Sequence, residues 1–496
     1  MTKQKKNIVF WIPAIISLLI AFLGIIFKQS FSNFAETLML FLKQKFSWIY
    51  LITMLFFVIF ILAIGFSPFG KIRLGADNEK PEYSLLSWFA MLFAAGMGIG
   101  LVFWGIAEPL SHYASPMNGI TPFSEEAKVF SMRSSFMHWG LHPWACYAIM
   151  GLGLAYIQFR KKQPALVSNL VKPLLGTGKK GHLLGQIIDI FTTVLTILGV
   201  AASFGMGCLQ ICGGLNYLFG IDNTTKTWFI IISLVCICYL TSAILGVSKG
   251  IQLLSNLNLI LCVVLVIVTL FIAFDPSIIT VSLSGAIQYI THFFPDSLRL
   301  TSNGDGTWIQ NWRIFYWAWW VSWAPFVGLF IARISKGRTV REFIFGVTLV
   351  PTMVSIIWFS VFGGVALNTA NFFTQTELLE IVQSPQTSLF IIFSKYPGGI
   401  LLSIIALVLL FVFFITSADS ATFVLAMITS DANPNPPNRK KVFWGVLLAL
   451  IAFVLILSGG VSGTQTLTIV AAFPYLFILL TICLSIFKML KKDAAN

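Results

Sequence analysis

Apolar runs of about 20 residues recur from one end of this chain to the other. A run of that length crosses a bilayer as a helix, and lipid cannot satisfy exposed backbone polar groups, so membrane-spanning segments must be helical or part of a closed barrel. Charged residues make up only 10% of the chain, against about 25% in soluble domains. The sequence therefore predicts an all-α polytopic membrane protein.

The apolar runs predict twelve transmembrane helices. They lie at 9–27, 47–68, 84–108, 134–159, 184–214, 227–247, 251–274, 313–334, 341–366, 397–428, 441–459 and 465–488. The first follows three lysines but has no small-residue cleavage site, so we interpret it as an uncleaved helix. Residues 28–46 are predicted to form a polar loop, and residues 276–300 an amphipathic helix on the outer surface.

The net charge of +14 does not indicate nucleic acid, because the basic residues concentrate in the loops of one side, as in 160–180 and 333–341. Such a bias marks the cytoplasmic side of membrane proteins. The sequence predicts a multi-pass protein of the cell inner (plasma) membrane with both termini cytoplasmic. The seven cysteines all lie in apolar spans without zinc-ligand spacing, so no cofactor is expected.

The eighth span contains four tryptophans between Tyr316 and Phe326. Trp319, Trp320 and Trp323 project from one side of a helix near its mid-depth. Indole faces attract a cation that cannot donate hydrogen bonds, so this spacing favours a cage for a quaternary ammonium. An aromatic core patch or a displaced interfacial belt is the alternative.

The third span contains alternate glycines at mid-depth, Gly96, Gly98 and Gly100. Glycine weakens a helix by about 1 kcal/mol relative to alanine. Two interpretations remain open. The glycines could allow close helix packing, or they could mark an unwound segment whose backbone groups bind ligand inside a cavity.

The fourth span contributes further aromatic residues. Trp144 and Tyr147 share a helical face, and Trp139 is predicted to lie about two turns outward. His138 and His142 have the i, i+4 spacing of metal ligands, but no acidic residue lies in this span. A structural or gating role is favoured for both histidines.

The tenth span has two hydroxyl residues, Thr416 and Ser417, near mid-depth. They could bond to their own helix, or supply oxygens to a hard cation. Asp189 and Asp419 are ionisable residues within apolar spans, and Asp419 is a functional candidate. Aromatic faces, glycines and hydroxyls at one depth together favour a zwitterion with a quaternary ammonium, plus a sodium-like ion.

These motifs resemble those of the betaine/choline/carnitine transporter family. The resemblance extends over nearly the whole chain and is carried by four motifs: Gly96–Gly100 with Glu108-Pro109, His138-Trp139-Gly-Leu-His142, Trp317–Trp323, and Thr416-Ser417-Ala-Asp419-Ser420. It implies two extra helices followed by two inverted five-helix repeats, spans 3–7 and 8–12, in a homotrimer. The implied divisions are 1–8, 9–83, 84–274, 275–312, 313–488 and 489–496, the third and fifth being the repeats.

The resemblance also implies the site. Substrate would contact Trp144, Tyr147, Trp319, Trp320, Trp323, Gly96, Gly98 and Gly100. The pathway would include Trp139, Phe315 and Phe326. A coupling sodium ion would bind Ala94, Met97, Phe413, Thr416 and Ser417. Sodium-independent exchangers carry an arginine where this chain has Asn258, so the resemblance favours sodium coupling.

The resulting hypothesis is a secondary transporter that imports a zwitterionic trimethylammonium compound into the cell for osmoprotection. Glycine betaine is favoured over carnitine and choline, because choline-carrying relatives have an aspartate where this chain has Gly100. Carnitine, choline or another compatible solute remains an alternative. Two other classes are a channel, which needs repeated polar stripes, and a membrane enzyme, which needs clustered histidines or acids.

Overall fold

The computed structural model describes residues 3–96, 98–176, 178–245, 248–299 and 306–494. These residues form twenty α-helices. The first ten are α1 Lys3–Ile26, α2 Lys28–Phe66, α3 Leu85–Gly96, α4 Ile99–Ala114, α5 Glu125–Trp139, α6 Leu141–Ala155, α7 Val167–Leu175, α8 Lys179–Phe219, α9 Thr225–Leu245 and α10 Ser248–Ala273. The others are α11 Pro276–Thr291, α12 Phe293–Leu298, α13 Gly306–Asn311, α14 Arg313–Arg333, α15 Val340–Thr369, α16 Gln375–Gln383, α17 Pro385–Phe393, α18 Gly399–Ile428, α19 Asn438–Leu457 and α20 Gly460–Ala494.

Ten helical segments of the described chain are long and apolar enough to cross a membrane. The predicted spans 84–108 and 134–159 are not among them, because each consists of two shorter helices. The chain is thus an all-helical polytopic membrane protein, as the apolar runs predict. Its β-structure within the described residues is a single bridge between Arg73 and Thr339.

The prediction of a polar loop at 28–46 is wrong, because helix α2 begins at Lys28 and runs for 39 residues. Its polar side chains bond along the helix: Gln29 Nε2 donates to Asn33 Oδ1 at 2.9 Å, and Thr37 Oγ1 to the Asn33 carbonyl at 2.7 Å. Polar residues therefore extend this helix beyond its apolar part. The predicted helix at 276–300 is helical in the structure but is divided into α11 and α12, and its place on the outer surface stays a prediction.

The third span is interrupted at its glycines. Helix α3 ends at Gly96 and helix α4 begins at Ile99. Gly98 between them has an extended backbone, with φ −148° and ψ −153°. The helix is therefore interrupted here, as one of the two interpretations requires, although Met97 lies outside the described residues. Ligand binding by the freed backbone groups stays a prediction.

A second interruption, at Gly140, divides the fourth span into α5 and α6. A Cβ at Gly140 would lie 2.4 Å from the Phe136 carbonyl oxygen and 2.5 Å from the Tyr289 hydroxyl. That hydroxyl accepts a hydrogen bond from the Leu141 backbone N–H at 3.0 Å. A tyrosine of α11 thus satisfies a backbone group freed by the break, as a low-dielectric setting requires. Gly140 followed by Pro143 was the sequence signal for it.

Helix α14 lies at the centre of the molecule. Buried residues make up 89% of the most apolar stretch of Gly306–Arg333, against 28% for Ile8–Ile26 and 28% for Leu254–Ala273. A Cβ at Gly328 of α14 would lie 2.4 Å from Met150 Cγ, so this glycine lets α14 and α6 approach closely. The tryptophans of α14 are consequently surrounded by protein, while α1 and α10 form the periphery.

Helices of the first half of the chain pack on helices of the second half. Helix α14 packs on α6 and α15 on α4. Helices α8 and α18 contact each other, while α9 and α10 pack on α18, and α19 and α20 pack on α8. Every long helix of the second half is thereby in contact with the first half.

Candidate functional site

The α14 tryptophans are held by hydrogen bonds from their indole N–H groups to neighbouring helices. These bonds join Trp319 Nε1 to Ser203 Oγ at 3.0 Å, Trp320 Nε1 to the His138 carbonyl at 2.9 Å, and Trp323 Nε1 to the Gly199 carbonyl at 3.0 Å. The acceptors belong to α5 and α8. With each donor satisfied, the orientation of each ring is fixed, and the polar edge is turned into the protein.

The structure brings most of the predicted cage together. The rings of Trp319 and Trp320 stack at 4.9 Å with an interplanar angle of 11°. Tyr147 lies edge-on to Trp320 at 6.3 Å, and Trp144 lies edge-on to Tyr147 at 5.5 Å. These side chains are buried, with at most 5% of their surface exposed. The aromatic residues of the fourth and eighth spans therefore form one continuous cluster.

Trp139 joins this cluster directly. Its ring meets Trp320 at 4.9 Å with an interplanar angle of 72°, and Trp319 at 6.0 Å. Trp139 is the last residue of α5, immediately before the break at Gly140.

The other α14 aromatics extend the cluster along the helix in both directions. Phe315 stacks on Trp319 at 5.5 Å, one turn toward the start of α14. Trp323 is half-buried and meets Phe326 edge-on at 5.5 Å, toward the other end. Trp323 therefore forms a second group with Phe326, one turn from the stacked pair.

The glycines of the interrupted span lie between the cage and the hydroxyls of α18. A Cβ at Gly100 would lie 2.9 Å from Trp319 Cη2 and 3.0 Å from Trp139 Cη2. A Cβ at Gly98 would lie 3.7 Å from Ser417 Oγ. Gly96 is the last residue of α3. The N-terminus of α4, where backbone N–H groups lack helical partners, thus adjoins both the indoles and Ser417.

The predicted sodium ligands are only partly described. Thr416 Oγ1 donates to the Val412 carbonyl at 3.0 Å and lies 3.2 Å from the Phe413 carbonyl. It also accepts a hydrogen bond from Asn258 Nδ2 at 3.1 Å. Helix α18 is continuous here, so the alternative of bonding within the helix holds for Thr416. Ala94 lies in the last turn of α3, and Met97 lies outside the described residues.

The two histidines of span 4 have separate partners. His142 Nε2 lies 3.1 Å from Ser297 Oγ, and its ring stacks on Trp317 at 4.7 Å. His138 Nδ1 lies 2.7 Å from Glu108 Oε1. The i, i+4 pair therefore does not act as a unit, and sequence reasoning missed the buried carboxylate that His138 contacts. The motif Glu108-Pro109 was its signal.

Asp189 and Asp419, the two aspartates singled out from the sequence, lie against residues outside the cage. Asp189 Oδ1 accepts from the Ser168 backbone N–H at 2.9 Å, at the start of α7. Asp419 lines a cavity of about 410 Å³ together with Arg333 and Lys441. These contacts give Asp189 a capping role, and place Asp419 beside basic residues toward the C-terminal end of α14.

Comparison with known proteins identifies the class. The sequence model of the family described as "BCCT, betaine/carnitine/choline family transporter" matches residues 8–495. The glycine betaine transporter OpuD of Bacillus subtilis (strain 168) is 45% identical over 98% of this chain and 94% of its own length. A probable glycine betaine transporter of Desulfitobacterium hafniense is 38% identical over 99% of this chain and 98% of its own length. An ectoine/hydroxyectoine transporter of Virgibacillus pantothenticus is 39% identical over 98% of this chain and 97% of its own length.

The protein is thus a multi-pass membrane transporter and not an enzyme. It belongs to the betaine/carnitine/choline transporter family, and the match extends across nearly the whole chain.

The hydrogen bond that holds Trp319 can be tested by Ser203→Ala. This change leaves the buried Trp319 N–H without its acceptor, and we expect the free energy of unfolding to fall by about 1–3 kcal/mol. The apparent melting temperature in detergent measures it. Ser355→Ala is the matched control, because Ser355 Oγ is buried without a partner among the described residues. Equal melting temperatures for the two variants would contradict the assignment.

Proposed function

We propose that this protein imports glycine betaine with sodium ions by alternating access. The observation that carries the proposal is the adjacency of two groups at one place in the fold. Indole faces suit a trimethylammonium group, which has no hydrogen-bond donor. The N-terminus of α4, which suits a carboxylate, lies against the same indoles at Gly100.

The short separation of these groups favours betaine over carnitine. Betaine has one methylene between its ammonium and its carboxylate, while carnitine has a longer, hydroxylated chain. Gly100 lies in the first turn of α4, and its Cβ position is 2.9 Å from the Trp319 ring. A compact zwitterion can therefore contact the ring and the helix terminus together. Two of the relatives described above are named as transporters of glycine betaine.

Sodium coupling is proposed from the oxygens beside the same glycines. The Thr416 hydroxyl and the Phe413 carbonyl lie 3.2 Å apart, and Ser417 Oγ faces Gly98. Oxygen ligands of this kind suit a small hard cation. An ion here would adjoin the α4 terminus, so ion and substrate would stabilise one another's binding.

We also propose twelve membrane crossings, arranged as two helices followed by two inverted repeats. Ten long helices and two interrupted spans, α3 with α4 and α5 with α6, give the twelve. In the proposed repeats, α4 corresponds to α14, α6 to α15, α8 to α18 and α9 to α19. The contact between α14 and α6 then corresponds to the contact between α4 and α15, and the contact between α9 and α18 corresponds to that between α19 and α8. That correspondence is expected of paired repeats that move against each other around a central site.

The proposed setting is supported by the family resemblance and by the charge distribution of the loops. The protein would lie in the plasma membrane as a homotrimer, with both termini cytoplasmic. The end of α14 that begins at Arg313 would then face outward. The predicted divisions at 9–83, 84–274, 275–312 and 313–488 would be the two extra helices, the first repeat, the outer connection and the second repeat.

The cage is tested by Trp320→Leu in proteoliposomes with labelled betaine and an inward sodium gradient. Loss of a desolvated cation–π contact should weaken apparent affinity about five- to thirtyfold, equivalent to ~1–2 kcal/mol. Trp48→Leu is the control, because Trp48 is 47% exposed. If Trp320→Leu and Trp319→Leu both keep the wild-type KM, the cage assignment is wrong.

The ion site is tested by combining Thr416→Ala with Ser417→Ala. Removing two oxygens should raise the sodium concentration that gives half-maximal uptake, and betaine affinity should fall with it. Thr481→Ala is the control: its hydroxyl also bonds to its own helix, at 2.8 Å from the Phe477 carbonyl, but is exposed. Equal wild-type uptake in sodium and potassium media would refute sodium coupling.

Substrate choice is tested by competition between betaine, carnitine and choline. Wild-type protein should prefer betaine, because a net cation brings an unbalanced charge into the membrane interior. Gly100→Asp should reduce betaine uptake and improve choline uptake relative to Gly100→Ala, which introduces the same Cβ near Trp319 without the charge. A wild-type preference for choline would refute the argument from Gly100.

A further inference from the structure

The carboxylate of Glu108 is fully buried and is bonded to donors from three helices. Its Oε1 lies 2.7 Å from His138 Nδ1 and 3.2 Å from His112 Nε2. Its Oε2 accepts from Trp139 Nε1 at 2.8 Å and from the Tyr316 hydroxyl. The donors belong to α4, α5 and α14.

Four donors fill the acceptor capacity of the carboxylate. An ionised carboxylate offers about four lone-pair sites. With His112 and His138 in the tautomers that donate, each oxygen of Glu108 accepts two hydrogen bonds. Hydrogen bonds to an ionised acceptor are stronger than neutral ones, and a fully satisfied buried network is rigid.

The same atoms could in principle hold a metal ion. Glu108, His112 and His138 present ligand atoms within 4.8 Å of one another. However, the carboxylate lone pairs that a metal would need are already occupied by Trp139 and Tyr316 in addition to the imidazoles. The contacts therefore favour a hydrogen-bonded clamp.

Two of the four donors form part of the cage wall. Trp139 meets Trp320 at 4.9 Å. Tyr316 stacks on Trp320 at 5.7 Å and lies 6.0 Å from Trp319. The clamp thus joins a ring of α5 to a ring of α14, and both rings cover the stacked pair. A third donor, His138, also supplies the carbonyl that accepts from Trp320 Nε1.

We propose that Glu108 is a positioning residue that holds Trp139 and Tyr316 together over the outer end of the cage. The inference rests on the proposed function, in which this end faces outward. Trp139 is 5% exposed and Tyr316 is fully buried, so neither ring is open to the surface in this structure. Substrate arriving from outside needs the two rings to separate, and occlusion needs the clamp to form again.

This role predicts different effects of losing the carboxylate on the KM for betaine and on the maximal rate. Without the carboxylate, the closed wall loses stability relative to the open one. The fraction of transporter open to the outside then rises, so the KM for betaine should not increase. Occlusion becomes slower, so the maximal rate per folded transporter should fall at least about tenfold.

The experiment compares Glu108→Gln, Glu108→Asp and Tyr316→Phe with wild type in proteoliposomes, at matched amounts of folded protein. Glu108→Asp keeps the charge with a shorter reach and should lie between wild type and Glu108→Gln. Tyr316→Phe should lower the maximal rate in the same direction. Adding Tyr316→Phe to Glu108→Gln should cost less than the sum of the two, because both act through one bond.

Backbone hydrogen exchange measures the clamp without any substrate. Glu108→Gln should speed exchange in the second half of α5 and the first half of α14, and leave α18 and α20 unchanged. Asp189→Asn is the matched control, because it removes a buried carboxylate that accepts from Ser168 elsewhere in the fold. It should not alter exchange in α5 or α14.

Three results would overturn the proposal. The first is a raised KM at an unchanged maximal rate in Glu108→Gln. The second is faster exchange throughout the protein, which indicates a general structural role. The third is loss of wild-type uptake after chelation of metal ions. If wild-type protein does not transport betaine but the local exchange pattern is found, the proposed function fails while the clamp stands.

Discussion

The constraint on which this structure depends is that a backbone polar group in a membrane needs a partner inside the protein. Most of the described chain meets it with continuous helices, including 39 residues in α2 and 41 in α8. The third and fourth spans are the exceptions, and both interruptions adjoin α14. At Gly140 the Tyr289 hydroxyl supplies a partner. At Gly98 the freed groups lie beside the cage and Ser417, where a ligand can satisfy them.

In the proposed function, the aromatic cluster serves both as part of the hydrophobic core and as the recognition site. Tryptophan gives apolar area for packing, a donor for a directional bond and a π face for a cation. In α14 the donors are bonded to Ser203, His138 and Gly199, so the indoles are fixed by neighbouring helices. Because those acceptors belong to α5 and α8, a relative movement of these helices changes the positions of the rings.

The same coupling extends to Glu108, about three turns beyond the break at Gly98 in its span. Its carboxylate bonds to residues of α4, α5 and α14, which on the proposed arrangement belong to both repeats. A charge buried at 0% exposure is tolerated because all its lone pairs are occupied. Such a group stabilises the packing of the three helices in which all four hydrogen bonds form. A packing in which some of these bonds are broken is less stable, because the carboxylate is then buried with unoccupied lone pairs.

The sequence by itself determined the membrane class and the tryptophan spacing, since these follow from composition and residue order, and it marked the third-span glycines as a possible interruption. It did not show the break at Gly140, whose partner Tyr289 lies 148 residues away. Nor did it show that Trp139 meets Trp319 and Trp320, because those contacts join α5 to α14. The four partners of Glu108 were likewise decided only by tertiary structure, because hydrogen bonds between side chains on separate helices depend on how those helices pack, and local sequence does not specify that packing.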